Sequence, residues 1–331
     1  MATELIGVAG MTEELKQTYD RVLLSVAEKN AVFMQYGAKK PIPARGGKSI
    51  EFRRFERIDV NYGSYTLSNE GTIHPLVTQA TISEVVCTIS QYGQFAYISD
   101  LLETQSFDPI IEEYTKKFGL AMIEGLDIVV RNELTNSTNI QYAGPKTCVG
   151  TVGGSAGGST SAVGSGDYLN AAELLEADRT LSRAGARKIN GSWVCLIHPD
   201  NKKDLYEDPD IVDAFQYASE RGGGNPLSTG VLGDWMGIRF VETNQLRVRT
   251  SYGFSGADIY EVIVLGDEAY GVSELSAMAA RTIIHPRGSG GHADPLEQYS
   301  TLGWKAALTA KILNNDFMVK ILCASSKSTT A

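Results

Sequence analysis

Residues 108–134 read DPIIEEYTKKFGLAMIEGLDIVVRNEL. Asp108 is a favourable N-cap, and Pro109 suits a first helical turn, where its missing N–H has no intrahelical partner to lose. Ile110, Ile111, Tyr114, Phe118, Met122, Leu126, Val130 and Leu134 then recur at helical spacing and form one apolar stripe. The pattern predicts a single helix of about 26 residues, about 40 Å long. Gly119 and Gly125 weaken its propensity but allow another element to pack closely. A helix of this length needs a sheet or a second helix along its side.

Upstream of this spine the chain reads as strand. Ile50, Phe52, Phe55, Ile58 and Val60 come at near-alternation, with Arg53, Arg54, Glu56, Arg57 and Asp59 between them, as in a strand with a register break. A second run extends from Val77 to Tyr97, and the polar stretch Asn61 to Pro75, which holds Tyr62 and Tyr65, separates the two. Arms of this length, at about 3.3 Å per residue, carry a hairpin tip tens of ångströms from its base. A two-stranded ribbon is marginal in water, so it must lie on something. A neighbouring subunit and the chain's own β-rich core both meet that need. Further upstream, Thr12 caps a helix whose stripe is Leu15, Tyr19, Val22, Leu23 and Val26, with Glu13 and Glu14 at the positive end of its dipole. Pro41, Pro43, Gly46 and Gly47 then impose an irregular connector.

Downstream, residues 143–166 are dominated by Gly, Ser, Thr and Ala and read as a linker or surface loop. After it come a helix over 167–186, a strand over Trp193–Ile197 ended by His198-Pro199, and a helical region over 201–221. Strands follow at 237–242 and 259–265, then a strand or short helix at 306–313 and a strand at 317–323. Helices and strands alternating in this way point to an α/β or α+β domain.

The formal net charge of −9 and the pI near 5.1 argue against a protein built to grip nucleic acid, which needs a basic surplus. The cysteines at 87, 148, 195 and 323 form no CxxC pair and read as packed thiols in a reducing compartment. The sequence shows neither a leader pattern nor an apolar run long enough to cross a bilayer, which fits a protein made in the cytoplasm.

No motif assembles into a catalytic, cofactor-binding or metal constellation. Gly153-Gly154-Ser155-Ala156-Gly157 matches the nucleophile-elbow string, but that elbow needs a strand before the serine and a helix after it, and here both flanks are Gly and Ser. As a phosphate loop the same stretch has Ser159 where the lysine belongs. His74, His198, His285 and His292 have no paired spacing. The acidic group Glu207, Asp208, Asp210 and Asp213 lacks the glycine and closing glutamate of a calcium loop and reads as a solvated helix face.

Several strings, taken in order, are similar to the major capsid proteins of tailed phages, the family typified by the coat protein of N4-like phages. They are Gln91-Tyr92-Gly93 leading to Ser99-Asp100-Leu101-Leu102, DIVVRNEL at 127–134, His198-Pro199-Asp200, GDWMGIRFVETN at 233–244, Gly303-Trp304-Lys305 and Ile312-Leu313-Asn314. The resemblance spans nearly the whole chain and implies the Hong Kong 97-type fold. It implies an N-terminal arm over 1–47, an extended loop over 48–98 and a peripheral domain over 99–150, while the Gly/Ser-rich linker or loop over 151–166 departs from the family's pattern. An axial domain over 167–280 and a return to the peripheral domain over 281–331 complete it. It further implies pentamers and hexamers that form an icosahedral head shell around double-stranded DNA, without sequence-specific binding. Portal, scaffolding and decoration proteins are implied as further partners. The candidate contact residues between subunits are Arg53, Arg54, Glu56, Arg57, Tyr62 and Tyr65 on the loop, with Leu15, Tyr19 and Val22 on the arm. Two other readings share the sequence: a nanocompartment shell of the same fold, and a serine hydrolase using Ser155 with His198.

Overall fold

The computed structural model describes residues 32–42, 47–55, 82–105, 110–144, 163–212, 234–274, 280–289 and 295–327. The expected arm helix, the loop beyond Phe55 and the body of the Gly/Ser stretch lie outside them.

The spine is where the sequence placed it. After β1 (Ala38–Lys39), β2 (Ser49–Phe55), β3 (Ile82–Thr88) and β4 (Ser90–Ser99) come a short helix α1 (Asp100–Gln105) and the long α2 (Ile110–Leu134). Met122, Leu126, Val130 and Leu134 of α2 are buried. They pack against Trp304, Ala306 and Leu308 of β13 (Tyr299–Ile312) and Tyr270 and Val272 of β11 (Tyr270–Glu274). The sheet under the spine has the order β1-β11-β13-β12, with β12 at Arg281–His285 and β4 also paired to β13 along ten residues. Residues 306–312 are therefore strand, part of one long β13 that ends just before Leu313.

The second sheet has seven strands in the order β5-β14-β10-β6-β8-β7, with β9 on β10. Its members are β5 (Ile140–Tyr142), β6 (Trp193–Ile197), β7 (Asp234–Trp235), β8 (Ile238–Glu242), β9 (Val248–Arg249), β10 (Ile259–Leu265) and β14 (Met318–Cys323). β6 and β10 are apolar or enclosed at every position because both faces are covered. Trp193, Cys195 and Ile197 face α3 (Ala171–Arg183) and its Leu174, Ala177 and Leu181. Val194 and Leu196, one residue out of phase, face the core shared with α2.

Several boundaries differ from expectation for local reasons. α3 begins at Ala171, not Asp167, because Asn170 is the cap that accepts the Glu173 N–H, and it stops at Arg183 ahead of Gly185 at φ +72°. Asp167 instead receives the Gly164 N–H, and Val163 is buried, so the end of the Gly/Ser stretch is fastened to the body. α4 (Pro199–Glu207) starts earlier than 201, with His198 as its N-cap. It ends at Glu207, residues 209–212 are helical again after Asp208, and residues 213–233 lie outside the described segments. Asp208 is not part of a solvated face: its carboxylate accepts the Ala171 and Asp210 N–H groups, so it ties two helices together. Pairing of β2 with β3 is unbroken through Phe55, without the expected register break. The run over 77–97 divides at buried Ile89, where the chain leaves β2 for β13. The segment expected to return to the spine also divides. β13 lies against α2, whereas β14 enters the seven-stranded sheet, its Lys320 ammonium donating to the Thr135 carbonyl just past the negative end of α2.

Candidate assembly surfaces

β2 and β3 form a two-stranded ribbon separate from both sheets. Its inner face is seated. Ile50 packs with Ile42, Ile89 and Ala307, and the Phe52 ring lies over Gly271, where an added Cβ would come within 2.8 Å of it. Its outer face carries Arg53, which reaches Glu51 and Glu84 at 3.4 Å each, between exposed Ile82 and Val86. Arg54 points the other way, and its guanidinium donates to the Leu313 carbonyl at 3.5 Å. Of the two described candidates, then, Arg53 faces outward and Arg54 holds the ribbon to its own subunit. Glu56, Arg57, Tyr62, Tyr65, Leu15, Tyr19 and Val22 fall outside the described residues.

The sequence reading missed a larger surface. Along β4, even-numbered residues such as Ile98 turn toward α2, while Phe95 and Tyr97 turn away from it and are each 66% exposed. The Phe95 and Tyr97 rings meet edge to face at 5.4 Å, and Tyr97 meets Tyr299 of β13 at 5.9 Å. Both alternating sets in Tyr92-Gly93-Gln94-Phe95-Ala96-Tyr97-Ile98 contain large apolar residues, a pattern of a strand covered on two faces. That signal was present in the sequence.

Residues 32–34 are fixed to the spine helix. Asp127 of α2 is 1% exposed and accepts the Phe33 N–H at 2.9 Å, while the Tyr270 hydroxyl donates to the Phe33 carbonyl. Burial pushes the Asp127 carboxyl up to about 6, against the pull of the Val32, Phe33 and Met34 N–H groups and of Arg131.

His198 serves the fold. Its Nδ1 accepts the Asp200 N–H at 3.2 Å, its ring lies against Tyr260, and burial holds its pKa below the ordinary imidazole value. Ser155 lies outside the described residues, so the pair has no geometry. Among the described residues no cluster of three or more His, Cys, Asp or Glu is placed to hold a metal ion, and no helix is long and apolar enough to cross a membrane.

A family model described as phage capsid protein matches residues 83–318, the segment from β3 to the first residue of β14. The chain belongs to the phage capsid protein family. The capsid protein has the Hong Kong 97-type fold seen in solved heads. It is similar to the capsid of cyanophage P-SCSP1u, at 17% identity and TM-score 0.61, over 90% of this chain and 89% of that one. The capsid of Ralstonia phage GP4 is similar at 12% identity and TM-score 0.66, over 90% and 92%. A virus-like particle from Pyrococcus furiosus matches at 12% identity and TM-score 0.53, over 93% and 99%. The fold is thus shared by phage heads and by that particle, and it is the family match that favours a phage head. No curated protein matches the chain. The capsid protein is a structural component of the virion shell, a role that requires self-association.

Proposed function

We propose that this chain is the subunit from which pentamers and hexamers of an icosahedral head are built, with the β2–β3 ribbon and the arm as its contacts to neighbours. The observation that carries the reading is the apolar surface left bare on a single subunit: Ile82 and Val86 on the ribbon, Phe95 and Tyr97 on the sheet. Large exposed apolar side chains grouped on two adjacent elements cost solubility unless a partner covers them. The division into arm, loop, peripheral, axial and return segments supplies such partners, since arm and loop are elements able to reach beyond their own body. The net charge of −9 suits a wall that encloses double-stranded DNA without adhering to it. Assembly belongs in the host cytoplasm, with portal, scaffolding and decoration proteins as further partners.

The test is negative-stain microscopy of the purified protein, alone and with a co-expressed scaffold. Rings or closed shells are expected. A strictly monomeric protein at high concentration under both conditions overturns the reading.

A further inference from the structure

Where the spine ends, the α2 side of the seven-stranded sheet gathers cations from three elements. Arg131 stands in the last turn of α2, Arg247 and Arg249 come from the segment that pairs with β10, and Lys320 comes from β14. Register puts them on one side. Glu261 alternates in phase with Ile263 and Leu265, which face α2, while Arg249 lies opposite Ile259 and the Arg247 carbonyl accepts the Glu261 N–H. Arg247 is within electrostatic reach of both Arg131 and Lys320, and Arg249 is within reach of Lys320.

The carboxylates nearby are committed. Glu261 is fully buried and bound to Arg249, Asp127 accepts the Phe33 N–H behind Arg131, and Asp258 accepts the Ser251 N–H at 2.8 Å. Two of the cations serve the fold as well, since Arg131 and Lys320 donate to the carbonyls of Gln245 and Thr135 at 2.8 and 2.7 Å. Arg247 is different. It is exposed, and among the described residues its guanidinium has no ion pair. Arg249, one residue beyond Val248, lies over the Tyr252 ring at 5.3 Å while its Nε holds Glu261, so its position is fixed.

We propose that Arg247 and Arg249 touch phosphates of the enclosed duplex, with Arg131 and Lys320 behind them raising the local potential, and that this face of the subunit turns to the interior of the shell. The inference rests on the shell reading given above. Three observations favour a phosphate backbone over an acidic protein. The two forward groups are arginines, whose forked donors suit phosphate oxygens. They are two residues apart on extended chain, about 6.6 Å, which is close to twice the axial spacing of about 3.4 Å between phosphates of one strand. The cations behind them are held by the fold and cannot reach forward, so they act at a distance, which rewards a polyanion more than a single carboxylate. A chain of net charge −9 repels a duplex elsewhere, so a patch of this size gives contact without grip.

The test is duplex binding by the full chain. Fluorescence anisotropy of a labelled mixed-sequence DNA duplex is followed with unassembled subunits from about 50 to about 200 mM salt. The slope of log affinity against log salt is expected at about −2, and Arg247→Ala should flatten it by about 1 while Arg247→Lys keeps it. Arg183→Ala, which removes an exposed cation on α3, should change nothing. Closed shells should bind none of the added duplex. Equal binding by the parent and Arg247→Ala, or an equal loss with Arg183→Ala, overturns the site. Poly-glutamate that competes as well as unlabelled duplex overturns the phosphate reading in favour of an acidic protein. Inorganic phosphate that binds where duplex does not overturns the duplex. Closed shells that bind as much duplex as free subunits overturn the inward placement. Parent shells that form normally from subunits without affinity for duplex overturn the inference and leave the shell reading standing. Subunits that bind as expected but never form shells overturn the shell reading and leave the phosphate site.

Discussion

Asp127 is held by backbone N–H donors in a site where burial dominates, and the direction of its pH response follows. Its carboxyl lies at about 6 in the folded chain against an ordinary 3.8, so between those values the native state binds a proton that the unfolded state has released. Stability from this group is greatest at the acid end and declines as pH rises toward 6, by about 3 kcal/mol across the window. The facing groups do not reverse this. Arg131 stays cationic, Tyr270 is pushed up by burial and stays neutral, and Tyr36 is the other titratable neighbour. Asp127→Asn should remove the decline. Urea unfolding of both proteins at pH 4 and pH 6.5 checks it, and an equal pH dependence in the two would refute it. A second buried carboxylate has a cationic partner. Glu261 is 0% exposed and bound by Arg249 across neighbouring strands. Arg249→Ala should strand that carboxylate and cost about 3 kcal/mol, while Arg249→Met with Glu261→Leu should recover most of the loss. A double variant no more stable than the single one would show that the pair itself is what stabilises.

At the level of elements, Gly271 is where the ribbon meets the sheet. Gly271→Ala puts a methyl group within 2.8 Å of the Phe52 ring, and the fit should cost about 1–3 kcal/mol as the ribbon root lifts. A lowered melting temperature, restored in part by Phe52→Leu, is the expected readout, and an unchanged melt would mean the ring has room to move. The elements differ in how plainly the sequence announced them. β6 and β10 were legible to the residue because strands buried on both faces are short apolar runs, and α2 was legible because its stripe holds for seven turns. The split at Ile89 was not. Alternation continues across it, and only the choice of partner changes, from β2 to a strand more than 200 residues away. The start of α3 was misplaced because Asp167 and Asn170 are both good caps, and the distant Asp208 helps select the second. The aromatic face of β4 was written in the residues, but it was absorbed into a strand assignment that asked about one face only. The contact candidates at 53 and 54 show the same limit: adjacent arginines on a strand point to opposite sides, and spacing does not say which side is outside.

For the whole molecule, the two sheets share one core across α2, so local opening should be rare in its interior. Cys195 and Cys323 report on this. Both are fully buried, and burial alone pushes the Cys195 thiol far above its ordinary value. Their alkylation, followed by mass spectrometry of peptides, should match the rate of global unfolding measured by fluorescence. Faster labelling at either position would reveal a smaller opening.

The placement of β14 bears on how a subunit comes into being. The Lys320 ammonium reaches back 185 residues to the Thr135 carbonyl, and the strand that carries it fills the gap between β5 and β10. On the ribosome, β5 emerges and must wait while roughly 180 more residues are made, about 9–36 s at ordinary elongation rates. Until then the larger sheet is divided and the end of the spine lacks its cation. A growing chain therefore cannot present a finished body to its neighbours, and synthesis sets the earliest moment at which a shell can gain a member.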